Sequence, residues 1–318
     1  MLRFTAALIV FSGLCSAQPL IRVANLSSPP VIIAYGDIRF TDTGEDVATN
    51  PKVRRWLVDK IASEKPDAVL LSGDIPFHGG NLDDYAVFRA ETKSWVAAHL
   101  LILPVLGNHE MYLNAQRECE ENETVCIDNW WKTFPELNGH RWYSAELGDG
   151  ILVLNLDSTS PLDPEDAQLR WVDEQLKALQ PSVKFVFINM HHPPMADPIE
   201  GDPDHSGRPN EAMLATYLRR SPQRKQVRFI VTSGHVHNYE RFSRDDVTYL
   251  VSGGGGAQPR KFDRSPNDQY QDPAFPNYHY LKFVLQGNKF TAEMIRVADP
   301  KSKSPKWEVK DRFEIVAP

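Results

Sequence analysis

Side chains that can bind a metal or carry a proton stand just past a series of apolar runs. Asp37 follows "VIIAYG", Asp74 follows "AVLLSG", and Asn108 and His109 follow "LILPVLG". His191 and His192 follow "FVFINM", and His235 and His237 follow or flank the end of "FIVTSG". Carboxylate, amide oxygen and imidazole without thiolate form a hard-to-intermediate donor set, suited to Zn, Mn, Fe or Co. Each member alone says little, because an aspartate after a strand commonly serves a turn or a helix cap. The ordered series says more. Parallel strands bring their carboxyl ends to one edge of a sheet, where α/β proteins gather ligands. Five such ends carrying donors in turn predict a metal site.

The elements that must position these donors alternate along the chain. "VIIAY", "DAVLLSGD", "LILPVLGN", "KFVFINMHH" and "RFIVTSGH" read as strands, near-continuous in apolar residues and therefore expected in sheets covered on both faces. Between them, residues 50–65 read as a helix capped at Asn50 with Pro51 in its first turn. Asp83 to His99, Pro164 to Leu179 (starting after Asp163) and Asn210 to Arg219 read as further helices. "WYSAEL" and "ILVLNLD" around residues 148–150 form a hairpin. From Val247 the pattern turns β-rich, with a second hairpin turning at residues 286–288. Ser265 to Pro276, rich in Pro, Asn, Asp and Gln, reads as a long surface loop. No internal repeat is visible, and low complexity is confined to Gly253 to Gly256.

The series of Asp37 and Asp74, each behind a glycine, then "GNHE", "HH" and "GHVH", resembles the calcineurin-like metallophosphoesterases. "GHVHNYERF" and the later "SGGGGAQP" are similar to the purple acid phosphatase branch. The resemblance covers roughly Val31 to Gln258. It implies an α/β fold, a four-layer α/β/β/α sandwich of two central mixed sheets flanked by helices. It also implies a centre of two transition-metal ions of the Fe, Zn or Mn class at the strand ends. Carried over by position, Asp74 bridges both ions, Asn108, His191 and His235 complete one site, and Asp37 and His237 serve the other. His109 stands beside the leaving group. Paired ions about 3.5–4 Å apart generate a hydroxide and clamp phosphoryl oxygens, and a nearby histidine can protonate a departing alkoxide. The implied activity is hydrolysis of phosphate esters on a small phosphorylated substrate.

The chain also departs from the family. Where calcineurin-like members carry His, two residues past the first Asp, stands Arg39. Where the purple branch carries Tyr, three residues past the second Asp, stands Phe77. The first metal then keeps Asp37, Asp74 and His237 and is expected to be weakly held or absent, without the tyrosinate–iron colour. His78 is a possible replacement ligand. A guanidinium has no lone pair to give, and three readings of Arg39 stand. It pairs with Asp37 or Asp42, it substitutes for the first metal's charge, or it clamps the bound phosphate as a bidentate donor. The clamp is the reading adopted, which makes Arg39 catalytic alongside His109. His192, Tyr239 and Arg260 are further candidate substrate neighbours. A phosphodiesterase or nucleotidase, or a non-catalytic single-metal phosphate-binding protein, are the competing readings.

The rest of the chain sets bounds. Its 318 residues, 42% of them hydrophobic, suffice for a substantial core. The net charge of −7 and the lack of a basic block argue against nucleic acid as a partner, beyond a nucleotide substrate. Residues 1–17, a basic start followed by "ALIVFSGLCSA", read as a signal peptide cleaved near Ala17. Residues 18–318 are then expected as a single domain, secreted or periplasmic. No other apolar run approaches the length of a membrane-spanning helix. Cleavage near Ala17 removes Cys15, and the two cysteines left, Cys119 and Cys126 in the polar run "RECEENETVCIDN", are expected to form a disulfide, because no third or fourth thiolate remains to complete a metal site.

Overall fold

A computed structural model describes residues 8–9, 18–160, 162–163, 165–199, 202–207, 209–261 and 263–318. The expected leader lies, apart from residues 8–9, outside them.

The strands form two mixed sheets that pack face to face. The six-stranded sheet runs, in spatial order, Trp307–Val316, Lys289–Val297, His279–Gln286, Val31–Tyr35, Ala68–Leu71 and Ile102–Pro104. Its last three strands are parallel to one another. The eight-stranded sheet runs Leu8–Ile9, Leu20–Val23, Tyr143–Leu147, Ile151–Asn155, Phe185–Asn189, Arg228–Ser233, Val247–Ser252 and Tyr239–Arg244. Here Ile151–Asn155, Phe185–Asn189, Arg228–Ser233 and Val247–Ser252 are parallel neighbours. Those parallel segments are the apolar runs of the sequence, and in each at most one residue is only partly buried.

Helices close the outer faces. Pro51–Glu64 is capped by the Asn50 side chain, which accepts from Val53 N, and Trp95 Nε1 donates to Val58 O at 2.9 Å, tying two helices over Tyr35. On the other side, Leu169, Val172, Leu176, Leu214 and Leu218 cover Leu154, Val186 and Ile188 of the eight-stranded sheet. Between the sheets, Phe185 and Phe187 meet Phe283 and Phe290 edge to face, at ring separations of 4.7–5.5 Å. This is the α/β/β/α sandwich.

A polar contact lies in that apolar interface. Asn189, the last residue of its strand, accepts from Ser72 Oγ at 2.9 Å and from Thr232 Oγ1 at 3.3 Å. Its Nδ2 donates to Asn155 Oδ1 at 3.1 Å and to Leu103 O at 3.2 Å. One buried amide thus fastens strand ends of both sheets together.

Several local expectations differ from the fold. The helix expected over Asp83–His99 breaks into Leu82–Glu91 and Lys93–Ala97, because Thr92 Oγ1 bonds back to Phe88 O at 2.7 Å. Asp166, not Asp163, caps the helix Ala167–Lys177. The polar run at residues 117–129 is partly helical, since Val125–Thr133 turns Cys126, Asn129 and Trp130 inward. Cys126 bonds to Cys119. The segment from Ser265 to Pro276 is the expected surface loop, without helix or strand, and is pinned by the buried Asp268 and Tyr270. Among the described residues no helix is long and apolar enough to cross a membrane.

Replacing Asn189 by Ala strands the Ser72 and Thr232 hydroxyls, so Asn189→Ala is expected to cost about 2–4 kcal/mol of folding stability. Urea unfolding of the purified variant measures this, and a loss near zero would mean that the amide does not join the sheets.

Candidate metal centre

The expected ligands converge where the two sets of parallel strands end. Val31–Tyr35 delivers Asp37, Ala68–Leu71 delivers Asp74 and Ile102–Pro104 delivers Asn108, all from the six-stranded sheet. Phe185–Asn189 delivers His191, and Arg228–Ser233 delivers His235 and His237, from the eight-stranded sheet. Asp37, Arg39, Asp74 and His235 all take left-handed backbone, with φ of 59°, 54°, 53° and 68°. Such conformations are costly for residues with a Cβ and cluster at functional sites. Their loops are held by backbone bonds, Asp37 N to Gly73 O at 3.1 Å and Arg39 N to Asp74 O at 3.0 Å.

Glu110 of the "GNHE" run sits beneath them. Its buried carboxylate accepts from Gly107 N, Ile75 N and Asp74 N at 2.7, 2.8 and 3.0 Å. Burial and the Asp74 charge push it up to about 8. Gly107 allows this close approach, because a Cβ there would lie 2.4 Å from Asp74 Oδ1. The glycine run at residues 253–256 serves the same end on the other side: Gly255 N donates to Gly36 O, and Ala257 N to Asp37 O, both at 2.9 Å.

Tautomers follow from fixed partners. A backbone carbonyl only accepts, so His191 Nδ1, 2.8 Å from Ser72 O, carries the proton. His191 Nε2 therefore presents a lone pair. It faces Asn108 Oδ1 at 2.9 Å, His235 Nδ1 at 3.2 Å and Asp74 Oδ1 at 3.3 Å. By the same argument His237 Nδ1 gives its proton to Gln258 O at 2.9 Å. Its Nε2 then points at Asp37 Oδ1 across 3.5 Å, and neither of these buried atoms has a hydrogen-bond partner. Facing lone pairs repel unless a cation lies between them, so the donors fit metal ions in two adjoining positions that share Asp74. Asn108, His191 and His235 would hold one ion, and Asp37 and His237 the other.

Charge around the site is unevenly balanced. Burial and the neighbouring Asp74 hold the Asp37 carboxyl well above the usual range. Burial acts on Asp74 in the same sense, but the His191, His109 and Arg39 side chains outweigh it and hold that carboxyl well below the usual range. Arg39 is mostly buried, with Nη2 3.3 Å from Asp74 Oδ2. Its ion pair is thus with Asp74, not with the Asp37 or Asp42 named in the salt-bridge reading.

The remaining expected residues divide. His109 Nδ1 donates to Phe77 O at 2.7 Å, and the Phe77 ring stacks on the imidazole at 5.4 Å. Phe77 therefore orients His109 where its branch relatives have a Tyr. His109 Nε2 lies 3.8 Å from Asp74 Oδ2. Burial and Arg39 push this histidine down to about 3. His192 is buried beside His235, ring to ring at 4.4 Å, with Nδ1 3.0 Å from Ser158 Oγ. His78 faces Asp84 at 3.7 Å, at the start of a helix. Tyr239 is a core residue, its hydroxyl donating to Asp311 Oδ2 at 2.9 Å, and Arg260 is paired with Asp202 at 3.1 Å.

That pairing leads to a residue the sequence did not single out. Asp202 holds His205 Nδ1 at 2.8 Å, and the His205 ring stacks on His235 at 4.9 Å and meets His237 edge-on at 5.3 Å. His205 ends a single 3-10 turn, Pro203–His205, too short to leave a periodicity. The only sequence signal for it was another histidine downstream of "HHPP".

The family described as calcineurin-like phosphoesterase matches residues 30–239. A curated relative, probable purple acid phosphatase 20 of Arabidopsis thaliana, is 23% identical over 216 residues, 65% of this chain and 47% of that protein. The chain thus spans about half the length of that relative. Among solved structures, the purple acid phosphatase PPD1 from yellow lupin (Lupinus luteus) seeds superposes with a TM-score of 0.70 at 16% identity, covering 94% of this chain and 56% of that one. A dimetal phosphatase from Danio rerio gives 0.59 at 15% identity, covering 91% of this chain and 100% of that one. Both share the fold.

Removing a ligand and removing a neighbour should differ. His191→Ala and His235→Ala are expected to lower bound metal per chain, whereas His109→Ala keeps it. Elemental analysis of the purified variants decides, and an emptied His109→Ala site would overturn the division.

Proposed function

Since the chain belongs to the calcineurin-like phosphoesterases, we propose that it hydrolyses phosphate esters at the convergence of Asp37, Asp74, Asn108, His191, His235 and His237. The observation that carries this reading is the convergence of buried donors: Asp74 clusters with Asp37 and His191, and His237 Nε2 faces Asp37 Oδ1. Two bound ions at such a site supply an activated water and neutralise phosphoryl charge. The protein's own residues do the rest. Arg39 is anchored to Asp74 through Nη2, and Nε is buried, so the outer guanidinium N–H groups are the ones offered to the phosphate. A guanidinium placed there favours the charge that builds up during transfer.

The proton for the leaving group has two candidate donors. His109 stands beside Asp74 with Nδ1 committed to Phe77 O, so its Nε2 delivers a proton only when the ring is an imidazolium. Asp74 favours that form, and burial and Arg39 oppose it. The second reading assigns the proton to His205, favoured by one observation: Asp202 holds its Nδ1 at 2.8 Å while the ring lies against His235 and His237. Export from the cytoplasm is part of the proposal, supported by the Cys119–Cys126 disulfide.

Turnover of para-nitrophenyl phosphate and its bis ester, with metal content measured, separates monoesterase, diesterase and mere phosphate binder. No turnover of either ester by metal-loaded protein would sink the enzymatic reading. Arg39→Ala is expected to lose about 10²-fold or more in kcat/KM, and Arg39→His to tighten binding of a second metal. Retention of full activity by Arg39→Ala would reduce Arg39 to a salt-bridge residue. A general acid must be protonated, so kcat/KM should fall as pH rises past its pKa. Loss of that fall in His109→Ala assigns the proton to His109, and loss in His205→Ala assigns it to His205.

A further inference from the structure

A second carboxylate cluster lies apart from the metal-centre ligands. Asp197, Glu240 and Asp268 each place one oxygen within 4.8 Å of one from the others, and their residues are 4%, 0% and 1% exposed. They come from three segments. Asp197 belongs to the loop that leads from His191 and His192 toward His205, Glu240 follows His237 by three residues, and Asp268 pins the segment from Ser265 to Pro276. Most of their oxygens are partnered. Asp197 Oδ2 accepts from Ser265 N at 2.7 Å. Asp268 Oδ1 accepts from Arg241 N at 3.0 Å and Tyr270 N at 2.9 Å, and Oδ2 pairs with Arg264. Glu240 Oε2 accepts from Asp197 N at 2.6 Å.

Glu240 Oε1 is the exception. It is buried without any hydrogen-bond partner. A buried carboxylate oxygen left unpaired beside two further carboxylates is expensive unless a cation or a proton meets it. Among the described residues Arg264 is the cation paired into the cluster, through Asp268. A cavity of about 470 Å³, lined by Asp197, Ser265 and Asn267, lies at the Asp197 side of the cluster.

We propose that Asp197, Glu240 and Asp268 bind a hard divalent cation of the calcium class. The donors are all oxygen, which suits calcium and not a thiophilic or imidazole-seeking metal. Oxygens bonded to calcium at about 2.3–2.6 Å can lie up to roughly 5 Å apart, so the triad needs little movement to close on the ion. Water from the cavity completes the shell. The bound ion ties together the loop that holds His205, the strand that begins after His237 and the segment from Ser265 to Pro276. Its role is to brace one wall of the metal centre, not to take part in the chemistry.

The test uses protein already loaded with its catalytic metals. Equilibrium dialysis against calcium chloride counts bound calcium, and thermal unfolding with and without about 5 mM calcium reads its effect. The expected result is one calcium per chain and a rise in Tm of about 2–5 °C. Both should vanish in Glu240→Gln, or in Asp197→Asn if the first variant does not fold, and both should persist in Asp37→Asn. Absence of calcium binding and of any Tm shift in the unaltered protein overturns the proposal and leaves Glu240 a neutral, buried acid. Calcium lost in Asp37→Asn but kept in Glu240→Gln overturns it as well, because the ion then sits among the catalytic ligands.

Discussion

A carboxylate taken wholly out of water must be compensated where it lies, and the candidate centre is organised around one such group, Asp74. Its Oδ1 accepts from His109 N at 2.9 Å and faces His191, its Oδ2 meets Arg39, and its own backbone N is held by Glu110. Every element that reaches the centre therefore reaches Asp74 or a neighbour of Asp74. The tight turn after Ala68–Leu71, with Gly73 and Asp74 both left-handed, is the local distortion that aims the carboxylate inward.

The donors come from different sheets, so the centre exists only while the sheets keep their mutual register. Asp37, Asp74 and Asn108 ride on one sheet, and His191, His235 and His237 on the other. Apolar packing of Phe185 and Phe187 on Phe283 and Phe290 drives the sheets together but fixes their offset loosely, since hydrophobic contact is not directional. Hydrogen bonds are directional. Asn189 supplies them at the depth where the strands end, joining Ser72, Leu103, Asn155 and Thr232. Ser72 in turn places the carbonyl that fixes the His191 tautomer. Stability and ligand orientation are thus linked through one amide.

The donors were legible in the sequence because each follows a short, fully apolar run, and such runs become buried parallel strands. The six-stranded sheet was harder to read at its edge. Trp307–Val316 alternates charged and apolar residues and stays largely exposed, so it lacked the apolar density that marks the central strands. Tyr239–Arg244 begins two residues after His237, and its strand character was masked by the motif that overlaps it. The helix Val125–Thr133 was hidden in a polar run because only one face is buried. His205 was invisible for a different reason. It is placed by Asp202 and by ring contact with His235 and His237, all tertiary relations that leave no trace in local periodicity. Phe77 was readable as a missing ligand, but its packing on His109 was not.

On the proposed reading, the position of Arg39 sets the relative strength of the two metal positions. The guanidinium cannot ligate, yet it lies against the carboxylate that both ions would share. Unit charges about 4 Å apart repel by about 4 kcal/mol at the effective dielectric of a protein site, which corresponds to roughly a thousandfold in affinity. The position formed by Asn108, His191 and His235 has three donors besides Asp74. The position formed by Asp37 and His237 has two, and Arg39 acts on its histidine next after burial itself. Fewer donors and a fixed positive neighbour weaken the same position. The same charge gains value when a dianionic phosphate arrives, because the guanidinium then has an anion to neutralise besides Asp74. On that reading an ion in the weak position and the substrate would be coupled: a phosphate bound against Arg39 would offset the repulsion between the guanidinium and the ion, so substrate binding would strengthen the hold on the metal that Arg39 otherwise loosens.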